Sequence, residues 1–375
     1  MPTTTPDTSE FPSLDSIEAV LWPAAALLIF VITAVLVDVM ILLAARWRLV
    51  DLPNRRSAHS LPTARGGGLA IVSTFSLGAL AVAMRWPMAT VPVLAGALMP
   101  CLAIAAVGFV DDIRPLRATL RLFIQLAIAA IITCALGPVE AIAIPGLPRF
   151  ELGAFALPFT IVWIVGMTNA FNFMDGSDGM AGTGAVVAGL CIGLFGLLLQ
   201  AHVPMLLGGF LAAAAAGFLV FNWPPARIFM GDVGSGFLGT FFAALPLVFP
   251  ATTRPLVFLP ILFCLWPYIY DPFVSVLRRI ANRKNPFEPH REFLFHRLIR
   301  SGVSHSRAAM LYALMAALGG LAGMAMLADH LPAWFRAAMP LAVVAFATAL
   351  TWGIEWRCSR LELVPAESGH APKPR

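Results

Sequence analysis

The sequence carries little charge. Asp, Glu, Lys and Arg make up 12% of its 375 residues, 59% are hydrophobic, and the mean hydropathy is +0.84. That balance excludes a soluble domain of ordinary composition and points to a chain solvated by lipid. Cysteine is scarce as well. Cys101, Cys134, Cys191, Cys264 and Cys358 form no CxxC pair and have no histidine at metal-ligand spacing, and four of them lie in apolar runs, so they read as small core hydrophobes. No heptad repeat, soluble domain or long linker is visible; the longest polar segment runs from about residue 279 to 307. The first 20 residues hold four acids and no Lys or Arg, so the basic n-region of a cleaved signal peptide is missing and the first helix is expected to stay as an anchor. A net charge of +5 makes no case for a nucleic-acid partner, because the basic residues sit beside the bilayer, where they meet anionic lipid heads or phosphorylated substrates.

What the chain has is apolar runs near the roughly 20 residues needed to cross a bilayer. They centre near residues 33, 77, 100, 127, 161, 190, 211, 241, 265, 318 and 345. The expected fold is all-α: a polytopic transmembrane bundle of about 11 spans forming one integral membrane domain over residues 1–375. An odd number of crossings places 21 of the 25 Lys and Arg residues on one side and leaves Arg85, Arg149, Arg254 and Arg336 on the other. By the positive-inside rule the rich side is cytoplasmic. The tail 1–19 is then outside and the tail 358–375 cytoplasmic.

The 20 acids are distributed unevenly too. Asp51, Asp111, Asp112, Asp175, Asp178 and Asp232 all fall at expected cytoplasmic helix ends or in the loops joining them. Carboxylates at the membrane edge are costly enough to be functional suspects. In VDLPNRRSAHSLPTARGGGLA, Arg55, Arg56, His59 and Arg65 precede Gly66 to Gly68, which allow close backbone approach and positive φ at a helix entrance where N–H groups favour an anion; the competing reading is membrane anchoring and a turn. In GFVDDIRPLRATLRLFIQ, the adjacent Asp111 and Asp112 repel, and the pair suits a divalent metal shared with phosphate oxygens or a general base. MTNAFNFMDGSDGMAG is the strongest local signal: Asn169, Asn172, Asp175 and Asp178 stand among glycines, with Asn172 and Asp175 on one helical face and no calcium-loop spacing. GDVGSG sets Asp232 at a helix start; lacking a following Lys it is no Walker A loop, and its lone carboxylate suits a metal completed by pyrophosphate and water. The last segment, RRIANRKNPFEPHREFLFHRLIRSGVSHSR, supplies His290, Arg291, His296 and Arg297, either as a surface-lying basic helix or as contacts to substrate phosphates. Asp271, inside the ninth run, faces the metal region or pairs with a neighbouring polar group.

Together DLPNRRSAHS, VDDIRP, NAFNFMDGSDGMAG, GDVGSG and HREFLFHRL resemble the motifs of the polyprenyl-phosphate N-acetylhexosamine-1-phosphate transferases, in that family's order, over about residues 45–310. Eleven spans with an outside N-terminus fit its O-antigen-initiating branch better than its ten-span peptidoglycan branch. The resemblance implies transfer of a sugar 1-phosphate from a UDP-N-acetylhexosamine to undecaprenyl phosphate with release of UMP, in the bacterial cytoplasmic membrane, with Mg²⁺ or Mn²⁺. It implies Asp232 as metal ligand beside Asp112, and Asp111 or Asp112 as base toward the lipid phosphate, with a covalent aspartyl route as the older alternative. Asn172, Asp175 and Asp178 would line the metal and nucleotide site. His290, Arg291 and His296, with Arg297 beside them and Arg55, His59 and Arg65 from the first loop, would bind substrate. The basic loop departs from the family in carrying Phe293 and Phe295 where another His is common. ARGGG and HREFLFHRL resemble the branch that uses 6-deoxy sugars such as N-acetylfucosamine or N-acetylquinovosamine. A homodimer through outer helix faces is compatible with this reading. A secondary transporter would be expected to show an inverted repeat, and a CDP-alcohol phosphotransferase an Ala-Arg pair after DG; neither is visible.

Overall fold

A computed structural model of the chain describes residues 18–47, 49–51, 62–285 and 292–362. Twelve α-helices dominate it: α1 (Glu18–Trp47), α2 (Gly68–Arg85), α3 (Pro87–Ile113), α4 (Ala118–Leu136), α5 (Ala156–Met174), α6 (Met180–Leu198), α7 (His202–Asn222), α8 (Gly231–Val248), α9 (Arg254–Ala281), α10 (Leu294–Arg300), α11 (His305–Leu327) and α12 (Ala333–Glu362). Eleven are long and apolar enough to cross a membrane, and each expected centre falls inside one of them. The exception is α10, a short helix within the basic segment. The chain is therefore a polytopic helical membrane protein.

Helix α8 is the hub. Its span is 94% buried, against 22% for α1 and α4 and 17% for α12, so these three helices lie at the periphery of the bundle. Aromatic rings fill the space around it: Phe75 of α2 packs edge-on against Phe241, and Phe171 of α5 lies 5.4 Å from Phe242. With lipid as apolar as the core, helix association depends on close packing and interhelical hydrogen bonds. Both are present. Thr33 and Thr74 join α1 to α2 at 2.7 Å, and Thr168 and Thr240 join α5 to α8 at 2.9 Å. Two glycine crossings draw helices onto the start of α8. A Cβ on Gly68 would stand 2.2 Å from the Gly234 Cα, and one on Gly108 of α3 would stand 2.3 Å from the Asp232 carbonyl oxygen.

A small sheet fastens the loops at that end of the bundle. Strand β1 (Val50–Asp51) pairs antiparallel with β2 (Thr63–Arg65), which runs parallel to β5 (Ile228–Phe229), with Arg65 opposite Phe229. The first connection is thereby tied to the segment leading into α8. A second pair, β3 (Ala141–Ile142) and β4 (Phe150–Glu151), lies between α4 and α5. Helix α3 stops where Pro115 pushes Arg114 out of the helical region, to φ −138° and ψ 106°. Asp111 and Asp112 are thus left in the last turn, beside the start of α8.

Candidate active site

The start of α8 organises the site. Gly231 has φ +78°, a turn that only glycine makes at little cost, and the first amides of the helix then point at carboxylates. Asp232 N donates to Asp112 Oδ1 at 2.9 Å, Val233 N donates to Asp112 Oδ2 at 3.2 Å, and the Gly231 amide reaches Asp175. Negative charge at a helix N-terminus is stabilised by the helix dipole. The anion held here is the protein's own.

Asp112 is also paired with Arg65, at 2.9 Å, and its side chain has no exposed surface. Its neighbour Asp111 points elsewhere: Oδ1 accepts from Leu116 N at 2.5 Å and Oδ2 from Arg121 Nη1 at 2.7 Å. The repulsion expected of adjacent acids is relieved by giving each its own arginine. The Asp111 carboxyl also lies within hydrogen-bonding range of Asp232. Asp232 is the accessible member of the group, with 24% of its side chain exposed. Asn172 Nδ2 donates to its Oδ1 at 2.9 Å and to Ser235 Oγ at 2.9 Å. Arg65 stands 3.8 Å and Arg121 3.6 Å from the Asp232 carboxylate. Asp175, one turn after Asn172, completes the cluster. Burial pushes its carboxyl well above the usual range, and the nearby Asp232 and Asp112 carboxylates push it the same way.

The remaining expected residues divide between this cluster and its supports. Asp178 Oδ2 accepts from Ala226 N at 3.0 Å, and Ser177 Oγ bonds His305 Nδ1 at 2.8 Å, so the DGSDG turn is fastened to the α7–α8 connection and to α11. His296 stands over that turn: a Cβ on Gly176 would lie 3.5 Å from its ring. Arg297 is engaged with Glu355 of α12 at 2.7 Å. The Gly67 and Gly68 amides, expected to favour an anion, instead donate to the Phe229 and Met230 carbonyls at 2.9 Å each. The close approach expected of the glycines is present, and Gly66 has φ +93°. Arg55, Arg56, His59, His290 and Arg291 lie outside the described residues. Of the two readings open for Asp271, the structure has the local one: it is bonded to Tyr312, Ser275 and two backbone amides.

Sequence reasoning missed Arg121 and Ser235. Arg114, Arg117 and Arg121 recur at helical spacing after the acid pair, which was the available signal for Arg121. Ser235 lies inside GDVGSG itself. Both become site residues only through contacts between helices distant in sequence.

A divalent cation of the Mg²⁺ type is commonly held by one or two carboxylates, with phosphate oxygens and water completing its shell. Asp232, the accessible carboxylate, offers one such donor and leaves the rest of the shell to phosphate and water. Among the described residues no three His, Cys, Asp or Glu side chains form a ready-made metal-binding group. The site therefore suits a cation that arrives with phosphates better than one caged by protein alone.

Fold and cluster together define a multi-pass membrane protein whose polar centre, carboxylates flanked by two guanidinium groups, sits at one end of the bundle. The model of glycosyl transferase family 4 matches residues 94–249. A probable undecaprenyl-phosphate N-acetylglucosaminyl 1-phosphate transferase of Bacillus subtilis is 34% identical over 282 residues, 74% of this chain and 76% of that protein. The decaprenyl-phosphate N-acetylglucosaminephosphotransferase of Mycobacterium tuberculosis is 30% identical over 301 residues, covering 72% and 74%. The phospho-N-acetylmuramoyl-pentapeptide-transferase of Streptococcus uberis is 29% identical over 206 residues, covering 52% and 61%. The chain belongs to glycosyl transferase family 4.

Proposed function

We propose that this protein transfers an N-acetylhexosamine 1-phosphate from a UDP-sugar to undecaprenyl phosphate, releasing UMP, at the cytoplasmic face of the bacterial inner membrane. The product, undecaprenyl diphosphate-linked sugar, would open the synthesis of a cell-surface polysaccharide such as O-antigen. The observation that carries this reading is the accessible Asp232 carboxylate flanked by Arg65 and Arg121 at the end of the bundle. A polyprenyl phosphate keeps its tail in lipid and its head at the membrane boundary, the level at which this cluster sits. The relatives' names, all polyprenyl-phosphate or phospho-sugar transferases, support the same reaction class.

Phosphoryl transfer asks a protein chiefly for positioning and charge neutralisation. An oxygen of the lipid phosphate forms the new bond to the β-phosphorus of the UDP-sugar. The bond from that phosphorus to the bridging oxygen breaks, and UMP leaves with the electron pair. A proton on the lipid phosphate passes to a carboxylate. Asp111 is the member of the adjacent pair that faces Asp232, while Asp112 is held at the start of α8, so the proton is assigned to Asp111 and the positioning to Asp112. Arg65 and Arg121 neutralise diphosphate oxygens. Mg²⁺, held by Asp232, would supply Lewis-acid stabilisation of the diphosphate charge.

The test is direct. Purified protein with undecaprenyl phosphate, Mg²⁺ and radiolabelled UDP-N-acetylhexosamines, including UDP-N-acetylglucosamine and 6-deoxy analogues, is expected to give a labelled lipid and UMP in equal amounts. Asp232→Ala is expected to lower turnover at least about a hundredfold in protein that elutes normally in detergent. A full sugar panel without lipid product would refute the assignment.

A further inference from the structure

The geometry points to a role for Asp271, outside the five motifs: we propose that it is a positioning residue that holds α10, and with it His296, over the DGSDG turn, there to meet the diphosphate of the sugar nucleotide. The inference rests on the transferase reading above and adds to it a residue that acts through another.

Asp271 is 1% exposed, yet none of its acceptor capacity is idle. Oδ1 accepts from Leu294 N at 2.6 Å and from Ser275 Oγ at 3.1 Å; Oδ2 accepts from Tyr312 Oη at 2.6 Å and from Phe295 N at 3.1 Å. A buried carboxylate is costly, and simple packing between α9 and α11 would be served as well by an apolar side chain. Here the charge is aimed at the first two amides of a seven-residue helix, which is too short to be stable without tertiary support.

The same face of α9 continues the task. Asp271, Ser275, Arg278 and Arg279 follow at spacings of four, three and one, so they share one side of the helix. Arg278 donates to the Glu292 carbonyl at 3.3 Å. Arg279 donates to the Asn285 carbonyl at 2.7 Å and pairs with the Glu292 carboxylate at 3.2 Å. Both sides of the basic loop are thus tied to a single transmembrane helix, with Asp271 setting the last bond before His296. Phe173 at the end of α5 stacks on Phe293 at 5.7 Å and steadies the other flank. Since His296 directly follows Phe295, a shift of the Phe295 amide moves the imidazole off Gly176, next to Asp175.

In Asp271→Asn an amide NH₂ replaces one of the two oxygens, each of which accepts from one backbone amide and one hydroxyl; the hydroxyl can turn to accept from it, but one α10 amide loses its acceptor. We expect the KM for the UDP-sugar to rise about tenfold, the size of losing one buried hydrogen bond to a charged group, while the KM for undecaprenyl phosphate stays within about twofold. Tyr312→Phe, which removes one donor and leaves the carboxylate on both amides, is expected to raise the donor KM only about two- to threefold; it carries the test should Asp271→Asn fold poorly. Hydrogen–deuterium exchange supplies a readout free of turnover. Peptides covering Leu294 and Phe295 are expected to exchange faster in Asp271→Asn, with α8 peptides unchanged. Equal losses toward both substrates, or unchanged exchange at Leu294 and Phe295, would overturn the proposal. Wild-type protein that forms no lipid product removes the transferase reading itself, whereas an active wild type with variants of normal donor KM removes only the role of Asp271.

Discussion

Asp112, Asp175 and Asp232 lie within one cluster and differ in duty because each meets different neighbours. Asp112 is sealed between α8 amides and Arg65, Asp232 keeps an open edge, and Asp175 is crowded by both. The last point is testable through linkage. A carboxyl whose pKa is raised in the folded state takes up a proton on folding, so its contribution to stability is fully present below the ordinary aspartate value, about 3.9, and is lost as pH rises through the raised one. Asp175→Asn abolishes that slope. The melting temperature of the variant minus that of the wild type, in detergent without substrate, is expected to climb from about pH 4 upward and to level off beyond the raised pKa; a flat difference would mean that Asp175 titrates normally. The clustering of these acids was legible in the sequence, because carboxylates are rare in such a chain and recur at one set of helix ends. Their division of labour was not. Asp112 meets the Asp232 amide across 120 residues, a register set by how α3 crosses α8, and no local spacing encodes it.

At the scale of elements, the site depends on α3 lying close against α8. Gly108 makes that possible, one turn before Asp111 and Asp112. A methyl there would meet backbone atoms of Asp232 and Val233 at 2.3 to 2.7 Å, and backbone cannot swing aside. Gly108→Ala is expected to cost about 1–3 kcal/mol, as overpacking does, and to lower turnover further by drawing the acid pair away from the start of α8. Gly209 on α7 is the control, since a methyl there meets nothing within 4 Å. Gly209→Ala should match the wild type in thermal stability and rate; equal behaviour of the two variants would show that the crossing does not set the site. Eleven of the twelve helices were visible as apolar runs because bilayer thickness dictates their length. The strands β1, β2 and β5 were not, and α10 only as one of two readings of the basic segment. They are two to seven residues long, and their stability comes from partners such as Asp271 and the α7–α8 connection rather than from their own periodicity.

For the whole molecule, the remaining quantity is direction. Eleven crossings put the described connections at 114–117, 175–179, 223–230, 282–285 and 292–293 at one end, and those at 137–155, 249–253 and 328–332 at the other. The first end carries the carboxylate cluster and, by the same alternation, 15 of the 19 basic residues among the described ones. Positive charge is retained on the cytoplasmic side during insertion, and a UDP-sugar is a cytoplasmic metabolite in the reaction proposed, so both arguments give the same orientation. Cysteine labelling separates it from its mirror image. The native cysteines other than Cys134 are buried, and replacing Cys134 by Ala leaves a quiet background. Asn282→Cys and His330→Cys then mark opposite ends at exposed positions. In intact cells or right-side-out vesicles, a membrane-impermeant maleimide is expected to label His330→Cys at once and Asn282→Cys only after permeabilisation. The reverse pattern would place the cluster outside, where a cytoplasmic sugar nucleotide could not reach it, and the proposed reaction would fall with the orientation.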